Sequence, residues 1–178
     1  MTKNNNKLIS NEYENIKNES ISTLSKLINL YDLTLSESRL FSIMFLENNP
    51  MTLDVMSQLL GMSKTSMSMG IHSLLDNKMV EKVWKKGTRK DLYIVEQDLY
   101  KVFSDTFLDE WNFVIKRNLK TFNELLIQLN NLSTKSADSE IQESILQYQL
   151  KIDSIITFYK WLSLILVEIQ GKIEDRQV

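Results

Sequence analysis

Residues 63–73 read SKTSMSMGIHS, crowding the hydroxyls of Ser63, Thr65, Ser66 and Ser68 around Lys64 and following them with Met69 and His72. Short hydroxyls bond phosphate oxygens or base edges, lysine adds charge, methionine meets a thymine methyl and histidine donates to a base or phosphate. On a helix, Met67, Ile71, Leu74 and Leu75 share one side. Thr65, Met69, His72 and Asp76 fall opposite, with Ser66, Ser68 and Ser73 on the flanks. An ordinary solvated face would more often carry Glu, Lys and Gln, because Ser and Thr lower helix propensity. These residue types therefore point to a face that reads DNA, with Ser63 chiefly the helix cap.

A second cluster lies in WKKGTRKDLY, where Lys85, Lys86, Arg89 and Lys90 flank Gly87. Glycine holds the positive dihedral that a tight hairpin tip needs. An arginine at such a tip suits the minor groove, while lysines suit phosphates. The formal net charge of −2 conceals this layout: from Ser63 to Tyr93, seven basic residues stand against three acidic ones. A basic segment on an acidic body presents one face to a polyanion.

Catalytic readings fare poorly. A single His and no Cys exclude a His-Cys dyad, a thiolate zinc site and a multi-histidine metal centre, and Met69 stands where the Glu of a Glu-x-x-His pair would be. There is no Gly-rich phosphate loop or Gly-x-Ser-x-Gly elbow, and nothing distinguishes two of the 23 acidic residues as a catalytic pair. Neither a cofactor nor an enzymatic activity is expected. The polar start and the lack of a long apolar run point to a soluble, cytoplasmic protein that does not enter a membrane.

The elements that must position these clusters follow from periodicity. One Pro and four Gly in 178 residues predict long helices. Residues 1–7 read as a flexible tail and 8–35 as an N-terminal dimerisation helix. Within 36–97, Ser36 is expected to cap a helix carrying Leu40, Ile43, Met44 and Phe45 inward. Thr52 starts a short helix, Gly61 turns the chain and Ser63 starts the next. MVEKVWK and KDLYIVE then form a hairpin around the basic loop. The class is mainly α with a small β-wing, a winged helix-turn-helix with long terminal dimerisation helices.

Residues 98–178 read as a C-terminal helical region for dimerisation and ligand sensing. Its last helix carries Ile141, Ile145, Tyr148, Ile152, Ile155, Tyr159, Leu162, Leu166, Ile169 and Ile173 at alternating steps of four and three. That seam serves either an intrachain hairpin or a two-fold dimer; the amount of apolar surface favours the dimer. Ten of the 16 aromatics fall in the two C-terminal helices. Spacing alone favours core packing. The alternative is a cage for a cationic ligand built from Phe107, Trp111, Tyr159 and Trp161, with Phe41 and Phe45 helping to line it.

The stretches ENNPMTLDVMSQLLGMSKTSMSMGIHSLLDNKMVEKVWKKGTRKDLYIVEQDLYKVF, FLDEWNFVIKRNL and FYKWLSLIL together resemble the MarR-like winged-helix repressors, and within them the GbsR type. SKTSMS and KGTRK are the most specific pieces. The resemblance implies that SKTSMS with His72 is the recognition helix, KKGTRK the wing and the outer helices a dimer interface. It further implies repression of genes for choline uptake or glycine betaine synthesis, relieved by choline, hence a role in osmoprotection. Trp111, Tyr159 and Trp161 match the family's aromatic stretches.

The expected partners are thus a palindromic double-stranded DNA operator, a second copy of the chain and a small cation such as choline. Two rivals stay open: a winged-helix regulator of another ligand, and a helical protein-protein adaptor that does not bind DNA.

Overall fold

The computed structural model describes residues 2–177 and divides into two compact units, Met1–Thr106 and Phe107–Val178. The division falls nine residues beyond the expected 97/98 boundary.

In the first unit, helix α1 (Thr2–Ile28) continues into a 3-10 turn at Asn29–Tyr31, after which Asp32 takes a left-handed φ of 59°. The helix extends back to Thr2, through the polar stretch whose composition reads as a tail; Met1 lies outside the described residues. Ile21 and Ile28 of α1 are buried in the same core as the winged helix, so this element packs on that unit. Its earlier apolar residues, Leu8, Ile9, Tyr13 and Ile16, remain exposed.

Helix α2 (Leu35–Glu47) begins two residues before the expected start. Thr34, not Ser36, caps it: the Thr34 hydroxyl accepts from the Glu37 amide at 3.2 Å, and Glu37 accepts from the Thr34 amide at 2.7 Å. This reciprocal capping box satisfies two amides at once, which outweighs a lone serine two positions later. Leu40, Phe41, Ile43 and Met44 are buried.

Helices α3 (Leu53–Leu60) and α4 (Lys64–Asp76) follow with the expected caps. Thr52 accepts from the Val55 amide, and Ser63 from the Ser66 amide. Gly61 closes α3 at φ 66°, a left-handed position where a Cβ would be strained.

Strands β1 (Val80–Val83) and β2 (Leu92–Val95) pair antiparallel, with Val80 opposite Val95 and Val83 opposite Leu92. Met51 adds a bridge to Tyr93 through mutual amide-carbonyl bonds of 2.8 and 2.9 Å, tying the entry to α3 to the wing. Met44, Met51, Met56, Met67 and Met79 all lie buried in this unit's core.

Helix α5 (Leu99–Val102) passes through a π-helical turn at Phe103–Leu108 into α6 (Asp109–Ser133), where the apolar spacing predicts one unbroken helix. Inside the turn the Thr106 hydroxyl donates to the Val102 carbonyl at 2.5 Å, competing with the regular backbone ladder.

In the second unit, α6 and α7 (Ser139–Glu174) form an antiparallel hairpin. Asp138 caps α7 through the amides of Glu140 and Ile141. Along the predicted seam Ile152, Leu166 and Ile173 are buried, joined by Ile156, while Ile141, Tyr148 and Ile155 stay exposed. A strict seven-residue period drifts around an ordinary helix by about 20° per heptad, so one straight partner covers only some of it. No helix among the described residues is long and apolar enough to cross a membrane.

Candidate nucleic-acid interface

The face anticipated on α4 is present. Met67, Ile71 and Leu74 are buried beneath it; Thr65, Met69 and His72 are exposed; Ser66, Ser68 and Ser73 are half-buried on the flanks. Met69 is 70% exposed, which leaves its thioether open to a partner. Ser63 and Ser66 are partly engaged with each other, their hydroxyl oxygens 3.0 Å apart. Thr65 and Ser68 are thus the hydroxyls best placed to meet a ligand.

A carboxylate from α2 steadies the same helix. Burial raises the Glu37 carboxyl, but hydrogen bonds from Thr34 and from Ser73 of α4 outweigh it and leave it below its ordinary value. The charge-assisted bond to Ser73 links the capping box of α2 to the flank of α4.

The wing loop runs over residues 84–91, longer than the two strands imply, because each strand stops at the register pair Val83–Leu92. Gly87 holds φ 87°, as a tight tip requires. Among the described residues Lys85, Lys86 and Arg89 join no ion pair and stand exposed. Lys82 and Asp91 pair across the base at 2.8 Å, and that bond raises the lysine.

Lys64 and Lys90 are not free. Both reach Asp54 in the first turn of α3, Lys64 on Oδ1 and Lys90 on Oδ2 at 2.6 Å. Hydrogen bonding from Lys64 and then from Lys90 lowers the Asp54 carboxyl to about 2. Sequence reasoning missed this acid, since a pairing across 36 residues leaves no trace in local periodicity. It also placed Trp84 in a strand, whereas the indole lies in the loop and is 81% exposed. Its position three residues before Gly87 is the only sequence signal for that.

The candidate cage residues divide between the units. In the first, Phe41 is wholly buried and stacks on half-buried Phe45, with centroids 5.9 Å apart. In the second, Phe107 and Trp111 pair at 5.1 Å. Tyr159 packs on Phe122 at 6.1 Å and accepts from Asn118 at 3.1 Å through its hydroxyl. Phe158, absent from the predicted set, contacts both Tyr159 and Trp161 at 5.9 Å. One hollow in this unit, about 460 Å³, lies at the hairpin turn against Leu129, Asp138, Ile141 and Tyr148, and none of the predicted aromatics lines it.

Comparison with known proteins decides the family. The model described as "GbsR family transcriptional regulator, C-terminal helical hairpin" matches residues 99–173, the stretch that contains α6 and α7. The HTH-type transcriptional repressor OpcR of Bacillus subtilis (strain 168) is 31% identical over 151 residues, covering 84% of this chain and 82% of its own. The chain belongs to the GbsR family of transcriptional regulators. The HTH-type transcriptional repressor GbsR of the same organism is 30% identical over 151 residues, 84% of this chain and 83% of its own. A crystal structure of a transcriptional regulator shares the fold, with a TM-score of 0.59 at 11% identity, over 89% of this chain and 98% of that one. As a GbsR-family member the chain is a regulator rather than an enzyme, and α3, α4 and the β1–β2 hairpin are its winged helix-turn-helix.

Proposed function

We propose that this GbsR-family regulator is a MarR-like homodimeric repressor that inserts α4 into the major groove and sets the wing on adjacent DNA. The observation that carries this reading is the exposed row Thr65, Met69 and His72 on α4 of the same unit that carries the unpaired cations Lys85, Lys86 and Arg89. Ser63, Lys64, Ser66, Ser68 and Lys90 complete the interface. Two copies related by a two-fold axis would present their α4 helices to successive major grooves about 34 Å apart, on a palindromic operator.

The second copy is argued from exposed apolar surface. Phe158, Trp161 and Leu164 of α7 share a face roughly opposite Tyr159, which is turned toward α6, and all three are more than half exposed. On α1, Leu8, Ile9, Tyr13 and Ile16 are similarly uncovered. Contiguous apolar surface of this kind marks an interaction site, and a second copy of the chain is the occupant we assign.

Phosphate contacts set the salt dependence of the complex. Arg89→Ala and Lys86→Ala are each expected to flatten the slope of log affinity against log salt by about one unit. Fluorescence anisotropy on a duplex selected by the wild-type protein measures it. Absence of binding at low salt would defeat the repressor reading and favour a protein-protein adaptor.

For the effector we propose choline, acting on genes of choline uptake or glycine betaine synthesis. Support comes from the resemblance and from the chemistry of Phe107, Trp111 and Tyr159, whose faces attract a quaternary ammonium group; Trp161, on the far side of α7 from Tyr159, belongs to the dimer face instead. Such a ligand shifts the dimer only by its differential affinity for the DNA-compatible spacing. Millimolar choline is expected to change tryptophan emission in the wild type and not in Trp111→Ala or Tyr159→Ala. An unchanged wild-type signal, or equal changes in all three proteins, would remove choline and leave a regulator of another ligand.

A further inference from the structure

Asp54 is an anomaly on a surface that meets a polyanion. It sits at the second position of α3, its side chain 28% exposed, with both oxygens occupied by lysines from two different elements: the first residue of α4 and the end of the wing loop. Exposed ion pairs contribute little to stability, and an acid in the first turn of α3 adds a modest favourable interaction with the helix dipole; neither requires one carboxylate to hold lysines from two other elements. Among the described residues, no other ion pair joins α3 to α4 or to the wing.

Lys64 and Lys90 keep about two thirds of their side-chain surface in solvent. Each ammonium has three donors and lends one to Asp54, which leaves two for a phosphate. Two properties follow. A phosphate approaching the pair meets a like-charged carboxylate behind it, which weakens the contact. In addition, two flexible stems that would otherwise adapt to whatever phosphates lie near are held at one spacing.

Resting on the DNA-binding reading, we propose that Asp54 is a specificity-determining residue: it clamps Lys64 and Lys90 at a fixed spacing and competes with DNA phosphates for both. Random duplex, held by phosphate contacts alone, bears the full competition and gains nothing from the fixed spacing. At a selected site, where base contacts seat α4 and the wing together, the spacing is already correct and offsets the competition. Asp54 thereby widens the gap between specific and non-specific affinity.

The test uses the full-length protein, a 30-bp duplex selected by the wild type from a random pool, and a random-sequence duplex of equal length, each titrated across a salt series. Asp54→Asn is expected to bind the random duplex about tenfold more tightly and the selected duplex no more than about threefold more tightly. Its salt slope on the random duplex should steepen by about one unit. Asp54→Glu, which keeps the carboxylate, should restore most of the wild-type ratio. In a Lys64→Ala/Lys90→Ala background, the neutral substitution should change random-duplex affinity by less than about twofold.

Equal gains on both duplexes, a loss on both, or a full effect in the lysine-free background would each overturn the clamp. Asp54→Ser gives the same reading should the asparagine variant fail to fold, checked by circular dichroism. If the wild type binds neither duplex at low salt, the DNA-binding reading itself falls, an outcome distinct from all of these.

Discussion

Leu164→Glu is expected to leave the α6–α7 hairpin folded and to convert the proposed dimer to a monomer. At 70% exposure the leucine contributes little within its own chain, and surface substitutions of this kind change stability by roughly 0.5 kcal/mol or less. Between two copies the outcome differs, because a carboxylate enters the centre of an apolar patch shared with Phe158 and Trp161 and lacks a partner there. In the proposed dimer, losing the second copy of α4 removes bivalent engagement, so affinity for a palindromic duplex should fall about a hundredfold or more. Light scattering coupled to size exclusion reads the mass, and anisotropy reads the affinity. A variant that stays dimeric with unchanged DNA binding would show that this face of α7 is not the interface.

Phe41→Ala carries the other large effect, on stability. Its ring has no exposed surface, stacks on Phe45 and lies among Leu40, Ile43 and Met44 beneath the winged helix. Truncating a wholly buried phenylalanine costs about 3–5 kcal/mol, which for a unit of this size lowers the melting temperature by roughly 15 °C or more. Phe45→Ala, at a half-buried site, should cost less. Thermal unfolding followed at 222 nm separates the two. A Phe41→Ala protein with near-native stability and no choline response would return Phe41 to the ligand site. The expected loss of stability makes it a core residue.

The helix-turn-helix was legible because its signals are local. Thr52, Gly61 and Ser63 each act within one turn of their own position, so cap and turn chemistry read directly as structure. The division of α4 into packed, flanking and exposed rows was legible for the same reason: a short helix keeps its phase. Helix α7 shows where that reasoning runs out, since over 36 residues a four-three pattern and a real helix part company, and Ile156 is buried beside exposed Ile155. The start of α2 was misread because Thr34 and Glu37 act as a pair. Neither the Asp54 bridge nor the Met51–Tyr93 bridge has a local signature, as each depends on how the wing returns across α3.

The methionines of the first unit have a consequence in redox terms. Met44, Met51, Met56, Met67 and Met79 are shielded within the core, whereas Met69 stands on the outer row of α4. Thioether oxidation follows access, and the sulfoxide exchanges a soft apolar tip for a polar, chiral one. An oxidant such as peroxide therefore reaches Met69 before those five, and alters the outer row of α4, the proposed DNA-reading face, while the fold beneath it is intact.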